Sequence, residues 1–308
     1  MKNALTLSGL FAALSALPAS AQEGLQAIGK PVNGLMGFQP PVTELAHQMQ
    51  WLDDFILIII TVICVFVTGL ILYAVARFNR KAHPKPAAFT HHTPIEIAWT
   101  VIPIIILLGI GAYSLPVLFN QQEIPKADIT IKVTGYQWYW GYEYVDDNVA
   151  FDSFMLAREE LEEFGYDESL YRLATDTAVV VPIGATVVMQ VTGADVIHSW
   201  TIPAFGVKQD AVPGRLNERL LTITEPGIYY GQCSELCGVK HGYMPIAVEA
   251  LPREQFDAWV LSKGGTLVDE EDAAEATDDV AADDSEETDA GDDAEAGAED
   301  AAAEAAAE

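Results

Sequence analysis

The side chains best suited to chemistry here are Cys233, Cys237, His241 and Met244, all within GQCSELCGVKHGYM at 231–244, together with His198 in the upstream stretch DVIHSW. Two cysteines four positions apart can form a disulfide in an oxidising compartment. A disulfide requires neither a histidine nor a methionine beside it. A histidine from one segment, followed by Cys, His and Met on a second, is the ligand arrangement of a blue-copper site, where two imidazoles and a thiolate bind in a plane and a thioether binds weakly. His198, Cys237, His241 and Met244 complete that set and leave Cys233 as a surplus thiolate. Two coppers bridged by both thiolates use it, with one histidine terminal on each ion and weak axial ligands from Met244 and a backbone carbonyl between the cysteines. Zinc also takes Cys and His, but the methionine and the three-residue gap between the cysteines depart from its usual C-x2-C spacing. The ligand types therefore order the alternatives as two coppers, then zinc, then a plain disulfide. A site ligated this fully leaves no position for a substrate and is suited to passing electrons.

These residues need a rigid frame. Between about 127 and 251 the sequence breaks into short runs rich in β-branched and aromatic residues, punctuated by Gly, Pro and Asp. ITIKVTG, QWYWGYEY, RLATDTAVVV, TVVMQVT, VIHSWTI, RLLTITE, GIYYGQ and IAVEAL read as strands, which predicts an all-β sandwich or Greek-key barrel. AREELEEFGYDESLYR at 157–172 interrupts them with acidic, helix-forming sequence and reads as a surface excursion. Pro252 opens a short helix, PREQFDAWVLSK, with Phe256 and Trp259 on one face available to pack on the barrel.

Upstream, residues 55–76 carry no charge and 97–119 are nearly as apolar, enough for two transmembrane helices. Their connecting loop holds Arg77, Arg80, Lys81 and Lys85, and short basic loops stay in the cytoplasm, so both flanks lie outside it. Residues 1–21, with Lys2, an apolar run and Ala19-Ser20-Ala21, read as a signal peptide. Cys64, among Val, Ile and Phe, reads as a small hydrophobe without a ligand role. Glu96, at the cytoplasmic end of the second span, either faces headgroups and water or serves a proton path.

The net charge of −29 is uneven: 19 acidic residues and no Lys or Arg lie between Asp269 and Glu308, leaving −10 for the rest. That tail has no aromatic residue and little to bury, so disorder is expected from about 266 to 308. Without a basic patch, nucleic acid is not an expected partner.

GQCSELCGVKHGYMPI, with DVIHSW, QWYWGYEY, AVPGRLN and the basic-looped hairpin, closely resembles subunit II of the bacterial haem–copper cytochrome c oxidases over about 25–262. The resemblance implies a membrane-anchored all-β fold: a signal peptide (1–21), an N-terminal segment with a two-helix transmembrane hairpin (22–120), a cupredoxin-like Greek-key β-barrel (121–265) and the acidic tail. It implies a dinuclear copper A centre on His198, Cys233, Glu235 through its carbonyl, Cys237, His241 and Met244, with the Glu235 carboxylate also holding magnesium against subunit I. Trp138 is the implied electron-input residue, and Glu143, Asp152, Asp176 and Asp195 the implied docking carboxylates for basic cytochrome c. Glu96 matches the mouth of the family's proton-uptake path. The implied role is subunit II of a proton-pumping oxidase in a bacterial inner membrane, with its copper domain periplasmic and subunit I, other oxidase subunits and lipid as partners.

The acidic tail lies outside that pattern, and no C-x-x-C-H motif for a fused haem c domain occurs. A membrane-tethered copper carrier and a quinol oxidase subunit share parts of this description. The carrier needs only an exchangeable site, whereas quinol oxidase subunits lack the copper ligands present here. The copper domain of nitrous oxide reductase uses similar ligands, but the chain has no room for that enzyme's large catalytic domain.

Overall fold

A computed structural model describes residues 25–85 and 87–267. The expected signal peptide and nearly all of the expected acidic tail lie outside the described residues. Helix α1 spans Glu44–Arg77 and α2 spans Thr93–Gln122, both long and apolar enough to cross a membrane. The most apolar window of each is not buried inside the protein, the pattern of helices whose apolar surface is covered by lipid or by other subunits. Trp51, Phe55 and Tyr113 join the pair in an aromatic cluster with centroids 5.4–5.6 Å apart.

At 34 residues, α1 is about 51 Å long, against about 30 Å of bilayer hydrocarbon. It begins eleven residues before the apolar run at Phe55. The reason is an N-terminal dock: the Thr43 hydroxyl accepts from Ala46 N and donates to the Phe205 carbonyl at 2.8 Å. Gly206, in left-handed backbone at φ +67°, lets Ala46 approach so closely that an added Cβ would lie 2.9 Å from its Cα. Arg219 adds a second tie, donating to the Gln121 carbonyl at the end of α2 at 3.3 Å.

Ten strands follow. One five-stranded sheet is built from β1 (Ile129–Tyr136), β2 (Tyr139–Tyr144), β3 (Val149–Ser153), β5 (Val187–Gly193) and β8 (Asn217–Leu221), in the order β3-β2-β1-β5-β8. Along β1, Ile129, Ile131 and Val133 point inward and Thr130, Lys132 and Thr134 outward, the period-2 alternation of a half-buried strand. A second sheet runs β4-β10-β9, from β4 (Val179–Pro182), β9 (Gly227–Gln232) and β10 (Pro245–Leu251). β6 (His198–Ile202) and β7 (Val207–Ala211) form a two-stranded ribbon. Trp140, Trp200, Tyr144, Phe205 and Tyr229 fill the core of this cupredoxin-like barrel. Helix α3 (Arg253–Ser262) packs on it through buried Phe256 and half-buried Trp259, whose ring lies 5.1 Å from Tyr144.

Four elements depart from expectation. β3 and β7 are additional strands; VAFDS and VKQDA carry Ala150, Asp152 and Lys208 at their exposed positions, residues depleted in strands, which dilutes the β signal. The expected strand 172–181 is a strand only from Val179. The 157–172 segment lies on the surface as expected, with most of its residues exposed, but it is not α-helical: it forms turns and a short 3-10 helix at Glu168–Leu170, and it buries Leu161 and Leu170. β10 is buried along its whole length. Its outer face is covered because Leu156, Leu161, Leu170 and Ala174 pack on Ile228, Tyr230 and Ala247 as a second small core.

Candidate metal centre

β9 ends at Gln232 and β10 begins at Pro245, and these two residues are register partners. The chain between them is a closed loop, fastened by a hydrogen bond from Cys233 N to the Met244 carbonyl at 3.2 Å. The loop brings the Cys237 sulfur to 3.9 Å from that of Cys233, 3.5 Å from the Met244 sulfur and 3.6 Å from His241 Nδ1. The Glu235 carbonyl lies 3.3 Å from the Cys233 sulfur. Both cysteines and Met244 are buried, His241 is half-buried and the Glu235 side chain is exposed.

His198, fully buried at the start of β6, enters from the other side. One ligand atom each from His198, Cys233 and Cys237 lies within 4.8 Å of the others. Gly135 makes room for the ring, since a Cβ there would stand 2.8 Å from His198 Cδ2. The His198 Nε2 to Asp195 Oδ1 distance is 2.8 Å. An ionised carboxylate only accepts, so Nε2 carries the proton. Nδ1 is then an unprotonated nitrogen, buried and without a hydrogen-bond partner.

These residues fit a metal on their own terms. The cysteines stand as two separate thiols, their sulfurs well beyond the about 2.0 Å of a disulfide bond. Their separation is also less than twice a metal–thiolate bond of about 2.3 Å, so one ion can touch both. A buried, unpartnered imidazole nitrogen beside two thiols is costly without a ligand to satisfy it. Burial pushes the Cys233 thiol up, but the His198 ring, the backbone of Glu235 and Ser199, and His241 outweigh it and bring the thiol down to about 7. Burial and the Cys233 charge together push Cys237 up. Burial works against charge on His198, yet Cys233 and Asp195 raise its basicity overall.

Trp138 is half-buried beside the loop, and its indole N–H donates to the Cys237 carbonyl at 3.2 Å. Gln137 donates to the same carbonyl at 2.8 Å. Gly238, at φ +123°, lets the loop lie against the Trp138 ring, where an added Cβ would be 3.0 Å from Cζ2. Asp195 holds more than the histidine: Oδ1 also accepts from Val196 N at 2.6 Å and Oδ2 from Gln137 N at 2.7 Å. These bonds keep its carboxyl below the usual range despite the opposing effect of partial burial. Neither Asp195 nor Gln137 stands out in the sequence as a support of the site; the i,i+3 spacing of Asp195 and His198 on one loop was the available signal.

The other expected site residues lie apart from this loop. Glu143, on β2, is exposed and pairs with Lys132 at 3.2 Å. Asp152, on β3, is exposed opposite Gly141. Asp176 accepts from Phe154 N at 2.9 Å. Glu96 lies in the first turn of α2 and accepts from His92 N at 3.0 Å, capping its own helix.

The family model described as the periplasmic domain of cytochrome c oxidase subunit II matches residues 129–251, and the one described as its transmembrane domain matches 31–117. The chain is 56% identical over 274 residues to cytochrome c oxidase subunit 2 of Cereibacter sphaeroides, covering 84% of this chain and 90% of that protein. It is 46% identical over 264 residues to a probable cytochrome c oxidase subunit 2 of Rickettsia bellii, covering 85% and 93%. The crystal structure of the periplasmic domain of subunit II of the Bradyrhizobium japonicum cytochrome oxidase matches at 47% identity and a TM-score of 0.42, covering 46% of this chain and 97% of that one. This chain belongs to the cytochrome c oxidase subunit II family, and is a membrane-anchored electron-transfer subunit of an oxidoreductase with a copper-type domain.

Proposed function

We propose that this chain accepts electrons from cytochrome c at a dinuclear copper centre and passes them to the haem of subunit I, where oxygen is reduced to water with proton pumping. The observation that carries the reading is the buried, unpartnered Nδ1 of His198 beside two thiols 3.9 Å apart. A single blue-copper ion would need only one of those thiols, whereas a pair of ions would use the whole set. Cys233, Cys237, His198, His241, Met244 and the Glu235 carbonyl would hold the ions, the thiolates and imidazoles as strong donors and the thioether and carbonyl as weak ones. When bound, the copper pair supplies one-electron chemistry.

The protein's part is to hold that set still. Asp195 fixes the His198 tautomer, and the loop closure at Cys233 N fixes the distance between the two sulfur-bearing arms. A site held in one geometry needs little rearrangement when its charge changes. Trp138 is the electron-input group, its N–H bonded to a ligand's carbonyl. Glu143, Asp152, Asp176 and Asp195 form the docking surface for a basic donor; Glu143 already shares its charge with Lys132, and Asp195 also serves the site. The exposed Glu235 carboxylate is a hard oxygen donor suited to magnesium at the contact with subunit I. Glu96 opens the proton-uptake path.

In this reading residues 1–21 are a signal peptide, the barrel and the C-terminus lie on the periplasmic side of a bacterial inner membrane, and lipid and other oxidase subunits cover the hairpin. The test is metal analysis of the chain purified with its partner subunits. Subunit I of a haem–copper oxidase holds copper of its own, so copper is counted against a Cys233→Ser/Cys237→Ser variant: the reading requires two more coppers in the wild type and one more in Cys233→Ser, and zinc in place of that difference, or an unchanged copper count in Cys233→Ser, defeats it.

A further inference from the structure

Arg172 belongs to the segment that packs over β9 and β10, and it reaches both arms of the ligand loop. Its carbonyl accepts from Gln232 Nε2 at 2.9 Å. Its guanidinium donates to the Tyr243 hydroxyl at 3.2 Å and lies 4.9 Å from the centroid of that ring. Gln232 immediately precedes Cys233, and Tyr243 stands between His241 and Met244.

The segment that carries Arg172 is itself anchored. Leu161 and Leu170 are buried in the second small core. Arg158 stacks on Tyr171 at 4.3 Å and pairs with Glu168. Arg172 takes up a left-handed backbone conformation, φ +73°, which disfavours any residue with a Cβ. That conformation places its carbonyl on one arm of the loop and its guanidinium on the other.

We propose that Arg172 is a positioning residue for the metal centre, acting through Tyr243 to set where His241 and Met244 stand relative to the two thiols. The inference rests on the copper reading above. A thioether is a weak, long axial ligand, so its distance is set by the loop that carries it rather than by the strength of its bond. The axial ligand in turn tunes the potential of a copper–thiolate site. A clamp on the residue beside Met244 is therefore a control on the potential.

The experiment uses the full-length chain in its assembled oxidase and compares wild type, Arg172→Gly, Arg172→Lys, Tyr243→Phe and the Arg172→Gly/Tyr243→Phe double variant. Glycine accepts φ +73° without strain and leaves the Gln232 bond in place, so it removes the side chain, with its contacts to Tyr243 and, at 5.6 Å, to the Tyr171 ring, and keeps the backbone tie. The readouts are the copper midpoint potential, the copper hyperfine pattern and the rate of copper loss to a chelator. Arg172→Gly is expected to shift the potential and the hyperfine pattern and to lose copper about tenfold faster, the low end for substitutions outside the ligand set. Arg172→Lys, which keeps a cation at the Tyr243 ring, restores part of the shift. Tyr243→Phe reproduces part of it, and the double variant goes no further than Arg172→Gly, as residues acting through one contact do. Wild-type values in Arg172→Gly, or strictly additive effects in the double variant, overturn the clamp. Should Arg172→Gly fail to assemble, Tyr243→Phe decides, with an unshifted signal as the negative result. A wild type lacking any two-copper signal instead defeats the copper reading, so the two failures are distinguishable.

Discussion

Asp195 accepts a 2.8 Å hydrogen bond from Nε2 of His198, and this bond determines which ring nitrogen is free. With the proton held on Nε2, Nδ1 is left as the lone-pair donor beside Cys233 and Cys237. The carboxylate is exposed enough to meet a partner, with 34% of its side chain accessible, yet both of its oxygens are already engaged. The proposed docking and ligand-positioning roles therefore fall on one carboxylate.

Asp195→Asn separates those roles. As a positioning residue, Asp195 requires the variant to change the copper hyperfine pattern and to weaken copper retention by about 10–100-fold, the range for groups that orient ligating histidines. A carboxylate that only docks instead raises KM for cytochrome c and its salt sensitivity, with kcat and the spectrum unchanged.

Trp138→Phe keeps an aromatic ring beside the loop and deletes the N–H bonded to the Cys237 carbonyl. One such hydrogen bond is worth about 1 kcal/mol, and Gln137 still serves that carbonyl, so copper content and stability stay near wild type. Electron input from cytochrome c, followed by stopped flow, is expected to fall sharply. An unchanged input rate removes Trp138 from the path.

Leu161→Ala tests the second core. Leu161 is 2% exposed beneath a segment rich in Glu, and its truncation is expected to cost about 2 kcal/mol, the low end for buried leucines, because the cluster is small and near the surface. Chemical denaturation of the detergent-solubilised chain measures this. A truly superficial segment tolerates the change within about 0.5 kcal/mol.

Asp147 gives a pH prediction. Burial raises its carboxyl pKa, with Asp146 and Asp257 adding and Arg253 opposing, and Oδ2 has no hydrogen-bond partner. A carboxyl raised in the folded state stabilises the fold only when protonated, so its contribution is present in acid and is lost as pH rises through the raised value. Asp147→Asn should therefore raise the thermal midpoint at pH 7, by a few degrees in a chain of this size (~2–4 °C per kcal/mol). The gain should shrink toward zero as the pH is lowered below the carboxyl's ordinary range. A gain that is constant with pH contradicts this origin.

The candidate site was largely legible because metal ligands are constrained in type and spacing, and four of the proposed ones fall within twelve residues of one loop. The two spans were equally plain, since 22 uncharged residues admit few alternatives. The start of α1 at Glu44 was hidden because residues 44–54 are amphipathic, and their helix depends on a contact 162 residues away, from Thr43 to Phe205. The role of 157–172 was hidden for a related reason. Its acidic residues dominate its composition, while Leu161 and Leu170 gain a partner only after β9 and β10 have paired. Asp195 was legible as a charge, but its geometry with His198 and Gln137 is tertiary.

The central claim, that both cysteines serve one two-metal centre, is tested most directly by electron paramagnetic resonance of the oxidised chain purified with its partner subunits. The account predicts the hyperfine pattern of one unpaired electron shared over two coppers. The pattern of a single blue copper, or no copper signal from a zinc-loaded protein, contradicts it.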